Sequence, residues 1–201
     1  MKKIIKDALI LFIITAVAGL LLALVNELTK EPIMAEQKKA KDEACTKVFP
    51  SAVRFEQLDI QLEKDDSLKN WKTNHPKQNV EEIYAAKDAS DNNLGYVINI
   101  STSEGYGSKI LFAMGVNNER ILNGISILSS QETVGLGLEA EKVLVPQFED
   151  KNVESFTYTK NGSSSDSEID AISSATITTN AFVNAVNSGL EFFDILKGGE
   201  Y

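Results

Sequence analysis

Residues 170–180 read Asp-Ala-Ile-Ser-Ser-Ala-Thr-Ile-Thr-Thr-Asn. Small side chains and hydroxyls crowd directly ahead of an apolar stretch with helical spacing. A helix N-terminus presents N–H groups that lack intrahelical partners, together with the positive end of the helix dipole, so it favours phosphate. Small neighbours let the backbone come close. The chemistry suited to this stretch is capture of a phosphate-bearing ligand, with the hydroxyls of Ser173, Ser174, Thr176, Thr178 and Thr179 nearby. An ordinary Ser/Thr-rich capping loop has the same composition.

Two glycine-bearing stretches stand earlier in the chain. Gln131-Glu132-Thr133-Val134-Gly135-Leu136-Gly137 alternates glycine with one apolar residue, which lets a planar ligand lie against the backbone. Glu104-Gly105-Tyr106-Gly107-Ser108 precedes a strand-like run. Tyr106 can stack on a planar ring or pack in the core or a hairpin, and packing is the expected role. Neither stretch has the strand-to-helix GxGxxG arrangement of a dinucleotide site.

The elements that must position these residues are mostly strands. Glu82–Lys87 and Leu94–Ser101 flank an Asp-Asn-Asn turn signal. In Lys109–Val116, Ile110, Phe112, Met114 and Val116 alternate onto one face, and Asn117-Asn118-Glu119 turns the chain into Ile121–Leu128. This predicts an antiparallel meander with one buried face, hence an α+β fold once helices are added. The last helix is expected over Asn180–Leu196, capped by Thr178, Thr179 or Asn180 and stopped by Gly198-Gly199. Residues 51–82 are polar and give no clear element, with Trp71 as a local packing anchor and His75 as a surface histidine.

Ala8–Val25 is eighteen residues without a charge, roughly 27 Å as a helix, close to the hydrocarbon thickness of a bilayer. Lys2, Lys3 and Lys6 precede it, which places the N-terminus in the cytoplasm and the remainder on the extracytoplasmic side of the cell membrane. A cleaved signal peptide has a shorter apolar run and a small-x-small site after it. Pro32 marks the membrane exit, and the segment up to Val48 suits a helical stalk ended by Phe49-Pro50. The expected organisation is an anchor over 1–27, a stalk and polar connection over 28–83, and a ligand-binding domain over 84–201.

The 201 residues carry a net charge of −9, and because Lys2, Lys3, Lys6 and Asp7 contribute +2, residues 8–201 hold −11. Such a balance argues against a nucleic-acid partner, which would demand a basic face. One cysteine excludes an internal disulfide, and one histidine leaves no thiolate or imidazole metal cluster to expect. No residue set reads as an independent catalytic site.

Taken in order, Gly105-Tyr106-Gly107, a strand pair, Glu132-Thr133-Val134-Gly135-Leu136-Gly137, then Asp170-x-x-Ser173-Ser174-Ala175-Thr176 before a terminal helix resemble the FMN-binding domain family. The resemblance spans roughly residues 84–196. Ser174 stands where that family usually has glycine, and Val134 where it often has proline. The family includes flavoprotein subunits of Rnf-type ferredoxin:NAD oxidoreductases and of sodium-translocating NADH:quinone reductases, and the chain length is closer to the former. The resemblance implies an antiparallel FMN-binding domain behind one transmembrane helix. It implies FMN joined through its phosphate to Thr176 by a flavin transferase that uses FAD. It also implies that Asp170, Ser173, Ser174, Ala175 and Thr179 shape that loop, and that Gly105, Tyr106, Glu132, Thr133, Gly135, Leu136 and Gly137 lie by the flavin. Partners would be the other subunits of a membrane complex coupling electron transfer to ion translocation. The flavoprotein subunit of a sodium-translocating NADH:quinone reductase and an anchored module binding a free phosphorylated ligand reversibly are the other readings.

Overall fold

The computed structural model describes residues 2–60, 65–107, 109–130, 140–173 and 175–199. The chain divides into two compact units, Met1–Ala40 and Lys41–Tyr201.

The first unit is helical. Helix α1 (Lys2–Val48) starts in it and runs on through Pro32. Its side chains are exposed from Lys3 to Ala40, and one stretch is long and apolar enough to cross a membrane. The hydroxyl of Thr15 donates to Leu11 O at 3.0 Å, which satisfies a polar group inside the apolar run.

The second unit is built on a five-stranded antiparallel sheet in sequence order: β1 (Arg54–Leu58), β2 (Gln78–Lys87), β3 (Asn93–Thr102), β4 (Ile110–Asn117) and β5 (Leu122–Ser130). The meander read from the alternation is present. Pairing of Ile98 with Met114 and of Ile100 with Phe112 puts these side chains on one face. The opposite face carries Val97, Asn99 and Ala113.

Each face has its own cover. Helices α2 (Asp66–Asn74) and α3 (Thr176–Gly198) lie with the large apolar face, where Phe112 and Phe182 stack with ring centroids 5.3 Å apart. Asp65 caps α2 by accepting from Ser67 N at 2.7 Å and Leu68 N at 3.2 Å. Trp71 is not a local anchor. Its indole N–H donates to Ser188 O at 2.7 Å, and its ring meets Phe192 edge-on at 5.0 Å, so it ties α2 to α3. Gly189 lets α3 approach the sheet, since a Cβ there would strike Met114 Sδ.

The smaller face takes the end of α1. Ala44, Cys45, Val48 and Phe49 pack with Ala86, Val97 and Ala113. Small residues on the sheet permit this, above all Gly115, where a Cβ would come within 2.5 Å of Val48 O. Beside this contact the Lys41 ammonium donates to Glu82 at 2.7 Å, and Tyr84 and Asn99 donate to the same carboxylate at 3.1 and 3.2 Å. Partial burial pushes the Glu82 carboxyl up, but the hydrogen bond and charge of Lys41, with the bonds from Tyr84 and Asn99, outweigh it and hold the group below its usual range. Burial, with Asp42 and Glu82 nearby, raises the Cys45 thiol to about 11.

The region 28–83, read from sequence as stalk and polar connection, contains β1, α2 and half of β2. Its polarity follows from position: β1 is an edge strand with mostly exposed side chains, and α2 buries only Leu68 and Trp71.

Candidate functional site

Sheet register decides which loops meet. Thr102 pairs with Ile110, and Ile110 with Ser130, so the loop after β3 and the exit from β5 lie at one end of the sheet. Helix α3 starts toward the same end. Asn184 in its first half donates to Glu104 at 2.8 Å, whereas Asp194 and Lys197 near its C-terminus bond to Arg120 and Asn118 in the turn between β4 and β5. The loop of Gly105 and Tyr106 and the helix start at Thr176 therefore share one end of the unit.

Glu104 fixes the first of these loops. Its carboxylate accepts from Gln78 Nε2 at 3.0 Å as well as from Asn184, with Lys77 at 3.4 Å, and its N–H donates to Thr102 Oγ1 at 3.2 Å. Tyr106 projects outward and is 68% exposed, so it packs in neither core nor hairpin. Ile177, next to Thr176, is 53% exposed. Most other large apolar side chains described in this unit are buried.

The second loop is held at both ends. Helix α3 begins at Thr176, four residues before the start read from periodicity, with Ala175 as N-cap and no side-chain cap bond. Thr178 and Thr179 are not caps. Both are buried inside the first turn, and the Thr179 hydroxyl ties the loop to the helix: it accepts from Ile172 N at 3.2 Å and donates to Ala175 O at 3.1 Å. At the other end the strand pair β6 (Thr157–Thr159) and β7 (Glu168–Asp170) delivers Asp170. The side chain of Gln147, on the short helical turn Val145–Phe148, grips the Asp170 main chain. Its Oε1 accepts from Asp170 N at 2.7 Å, and its Nε2 donates to Asp170 O at 3.2 Å. Asp170 Oδ1 is buried without a hydrogen-bond partner among the described residues.

Ser173 is exposed, Thr176 is half-buried and Ala175 is buried. Ser174 and the stretch of Glu132, Thr133, Gly135, Leu136 and Gly137 lie outside the described residues. Among the described residues no cluster of three or more metal-ligating side chains forms. Sequence reasoning missed Gln147, Gln78 and Asn184. Polar amides carry no periodicity, and their partners lie 23, 26 and 80 residues away. The arrangement presents a partly exposed secondary hydroxyl at a helix N-terminus, on a loop pinned at both ends. That hydroxyl can be esterified, or it can line a phosphate site.

Residues 105–191 match the FMN-binding domain family, and residues 1–48 match the RnfG N-terminal region. The chain is 30% identical to the G subunit of the ion-translocating oxidoreductase complex of Methanosarcina acetivorans, covering 98% of each. It is 29% identical to the G subunit of the Na(+)-translocating ferredoxin:NAD(+) oxidoreductase complex of Acetobacterium woodii, covering 98% of this chain and 94% of that one. The crystal structure of NqrC from Shewanella oneidensis shares the fold, with a TM-score of 0.51 at 16% identity over 76% of this chain and 88% of that one.

Proposed function

We propose, from the premise that this chain belongs to the G-subunit family of ion-translocating oxidoreductase complexes, that it is a membrane-anchored electron carrier with FMN esterified to Thr176. The observation that carries this reading is the Thr176 hydroxyl, half-exposed on the first turn of α3 ahead of a helix start without a side-chain cap. The residues fit the group. The positive helix end favours the phosphate, and Ala171, Ser173 and Ala175 are small enough to leave room for it.

Attachment by a flavin transferase balances simply. The Thr176 oxygen forms a bond to the FMN-side phosphorus of FAD, the phosphoanhydride bond breaks, AMP leaves, and the hydroxyl proton is released. FMN supplies electron transfer in one- or two-electron steps. The chain holds it in place: Thr179 and Gln147 fix the loop, and exposed Ile177 next to the hydroxyl, with Tyr106 at the same end of the unit, offers apolar contact. The family resemblance assigns Gly105, Glu132, Thr133, Gly135, Leu136 and Gly137 to flavin contact, and Asp170, Ser173 and Ser174 to the attachment loop. The electron partners are other subunits of an Rnf-type ferredoxin:NAD oxidoreductase coupled to ion translocation. The lysines before the apolar run put the flavin domain on the extracytoplasmic side.

The test is co-expression of the full chain with a flavin transferase. Denatured protein is then inspected for flavin fluorescence and its 173–179 peptide is mass-mapped. Fluorescence that survives denaturation and vanishes in Thr176→Ala supports the reading. Flavin that washes away from the wild-type chain replaces it with reversible phosphate binding.

A further inference from the structure

The grip of Gln147 on Asp170 is selective for a carboxamide. Its Nε2 donates to two carbonyls, Val143 O at 2.6 Å and Asp170 O at 3.2 Å, while Oε1 accepts from Asp170 N at 2.7 Å. Two donors and one acceptor are needed at once, and a primary amide supplies them. A carboxylate would oppose both carbonyl oxygens, and a thioether would pair with none of the three groups. The side chain is itself anchored, because Val145 and Phe148 around it are buried and Phe148 meets Phe156 edge-on at 4.9 Å.

Asp170 is the last residue of β7, and only Ala171–Ala175 separate it from Thr176. Along that stretch Ala171 N donates to Thr159 O at 2.8 Å, Ile172 N to the Thr179 hydroxyl at 3.2 Å, and Ala175 N to Ile172 O at 3.0 Å. The upstream end is thus held by the amide of Gln147 together with the β6–β7 pairing, and the downstream end by Thr179. Anchors at Asp170 and at Thr179 restrict how the chain enters α3 and so how the Thr176 hydroxyl is offered, and a transfer enzyme requires such positioning of a protein substrate.

We propose that Gln147 is a positioning residue for flavin transfer: by clamping the Asp170 main chain it sets the register of the loop that presents the Thr176 hydroxyl to the transferase. This rests on covalent attachment at Thr176 as proposed above. The side-chain bonds of Gln147 go to Val143 and Asp170 and not to the Thr176 hydroxyl, so it acts through Asp170.

The test measures initial rates of flavin incorporation into the full-length, detergent-solubilised chain with FAD and flavin transferase, over a range of acceptor concentrations. Every variant rate is divided by the wild-type rate at the same pH, which removes the transferase's own pH response. Gln147→Met is expected to lower kcat/KM for the acceptor chain about tenfold. Gln147→Glu is expected to be as poor at pH 8 and to recover toward the wild type near pH 5, where protonation restores a donor. The charged groups around this side chain are Glu149, Lys151, Asp166, Glu168 and Asp170. Urea midpoints of Gln147→Glu at the same pH values separate the roles: a merely structural defect lowers incorporation only in proportion to the unfolded chain, whereas the positioning role lowers it in chain that remains folded. If Gln147→Met fails to fold by circular dichroism, the Gln147→Glu ratio alone decides. Wild-type rates in both variants, or a flat ratio, overturn the inference and leave the Thr176 reading standing. A wild-type chain that accepts no flavin at Thr176 overturns both.

Discussion

The hydroxyl of Thr179 accepts a hydrogen bond from the main-chain N–H of Ile172 at 3.2 Å and donates to Ala175 O at 3.1 Å. A side chain on the first turn of α3 thereby closes the loop that leads into the helix. The Ile172 N–H is buried, so it has no access to water in place of this partner. Replacing Thr179 by valine keeps the shape and removes the hydroxyl. The expected loss is about 1–3 kcal/mol, the cost of an unsatisfied buried donor, read from urea unfolding of the full chain. Flavin incorporation at Thr176 should fall in the same variant, and a Thr179→Ser variant should regain most of both.

Arg120 joins three segments. Its guanidinium makes paired bonds to Asp194 at 2.8 and 2.9 Å and donates to Val153 O at 2.7 Å and Glu154 O at 3.3 Å. Lysine keeps the charge but cannot reproduce this fork. Arg120→Lys is expected to destabilise the chain by about 2 kcal/mol, and Asp194→Asn by less, since its amide keeps one acceptor. Equal and negligible shifts in the urea midpoint for both would show that the contacts are only superficial.

Two glycines set how closely helices approach the sheet, and they differ in what they face. A methyl at Gly115 would meet the backbone carbonyl of Val48, whereas one at Gly189 would meet the flexible thioether of Met114. Gly115→Ala is expected to cost about 3 kcal/mol and Gly189→Ala about 1 kcal/mol, because a methionine side chain can move aside and a carbonyl cannot. Thermal unfolding of the two variants in parallel checks the order.

The folded chain holds the Glu82 carboxyl below its unfolded value, through Lys41, Tyr84 and Asn99 acting against burial. A lowered folded pKa means a contribution that is complete above about pH 4.3, the ordinary glutamate value, and is lost as pH falls through the lowered one. Glu82→Gln should therefore flatten the acid limb of stability below about pH 5 while changing the alkaline limb little. Unfolding midpoints between pH 3 and pH 8 measure this, and an unchanged acid slope in the variant rules out the linkage.

Much of this protein is determined by the order of its residues alone. The uncharged run of Ala8–Val25, the alternation in Lys109–Val116 and the helical spacing after Thr176 are properties of neighbouring side chains. Burying one face of a strand or helix, or immersing all of a helix, demands them whatever the remainder of the chain does. The hydroxyl-rich stretch ahead of α3 is legible for the same reason. Tertiary structure alone decided how that stretch is held. Nothing local marks Gln147 as the partner of Asp170, Trp71 as the partner of Ser188, or Glu104 as the bridge from Gln78 to Asn184. Nor does local pattern reveal β1 and α2, whose few buried residues leave little periodicity to read. The start of α3 precedes the apolar spacing because the buried side chains of its first turn are Thr178 and Thr179, polar residues that apolar periodicity does not register. Periodicity records which side faces the core, and the partner that meets it there is known only once the chain has folded back on itself.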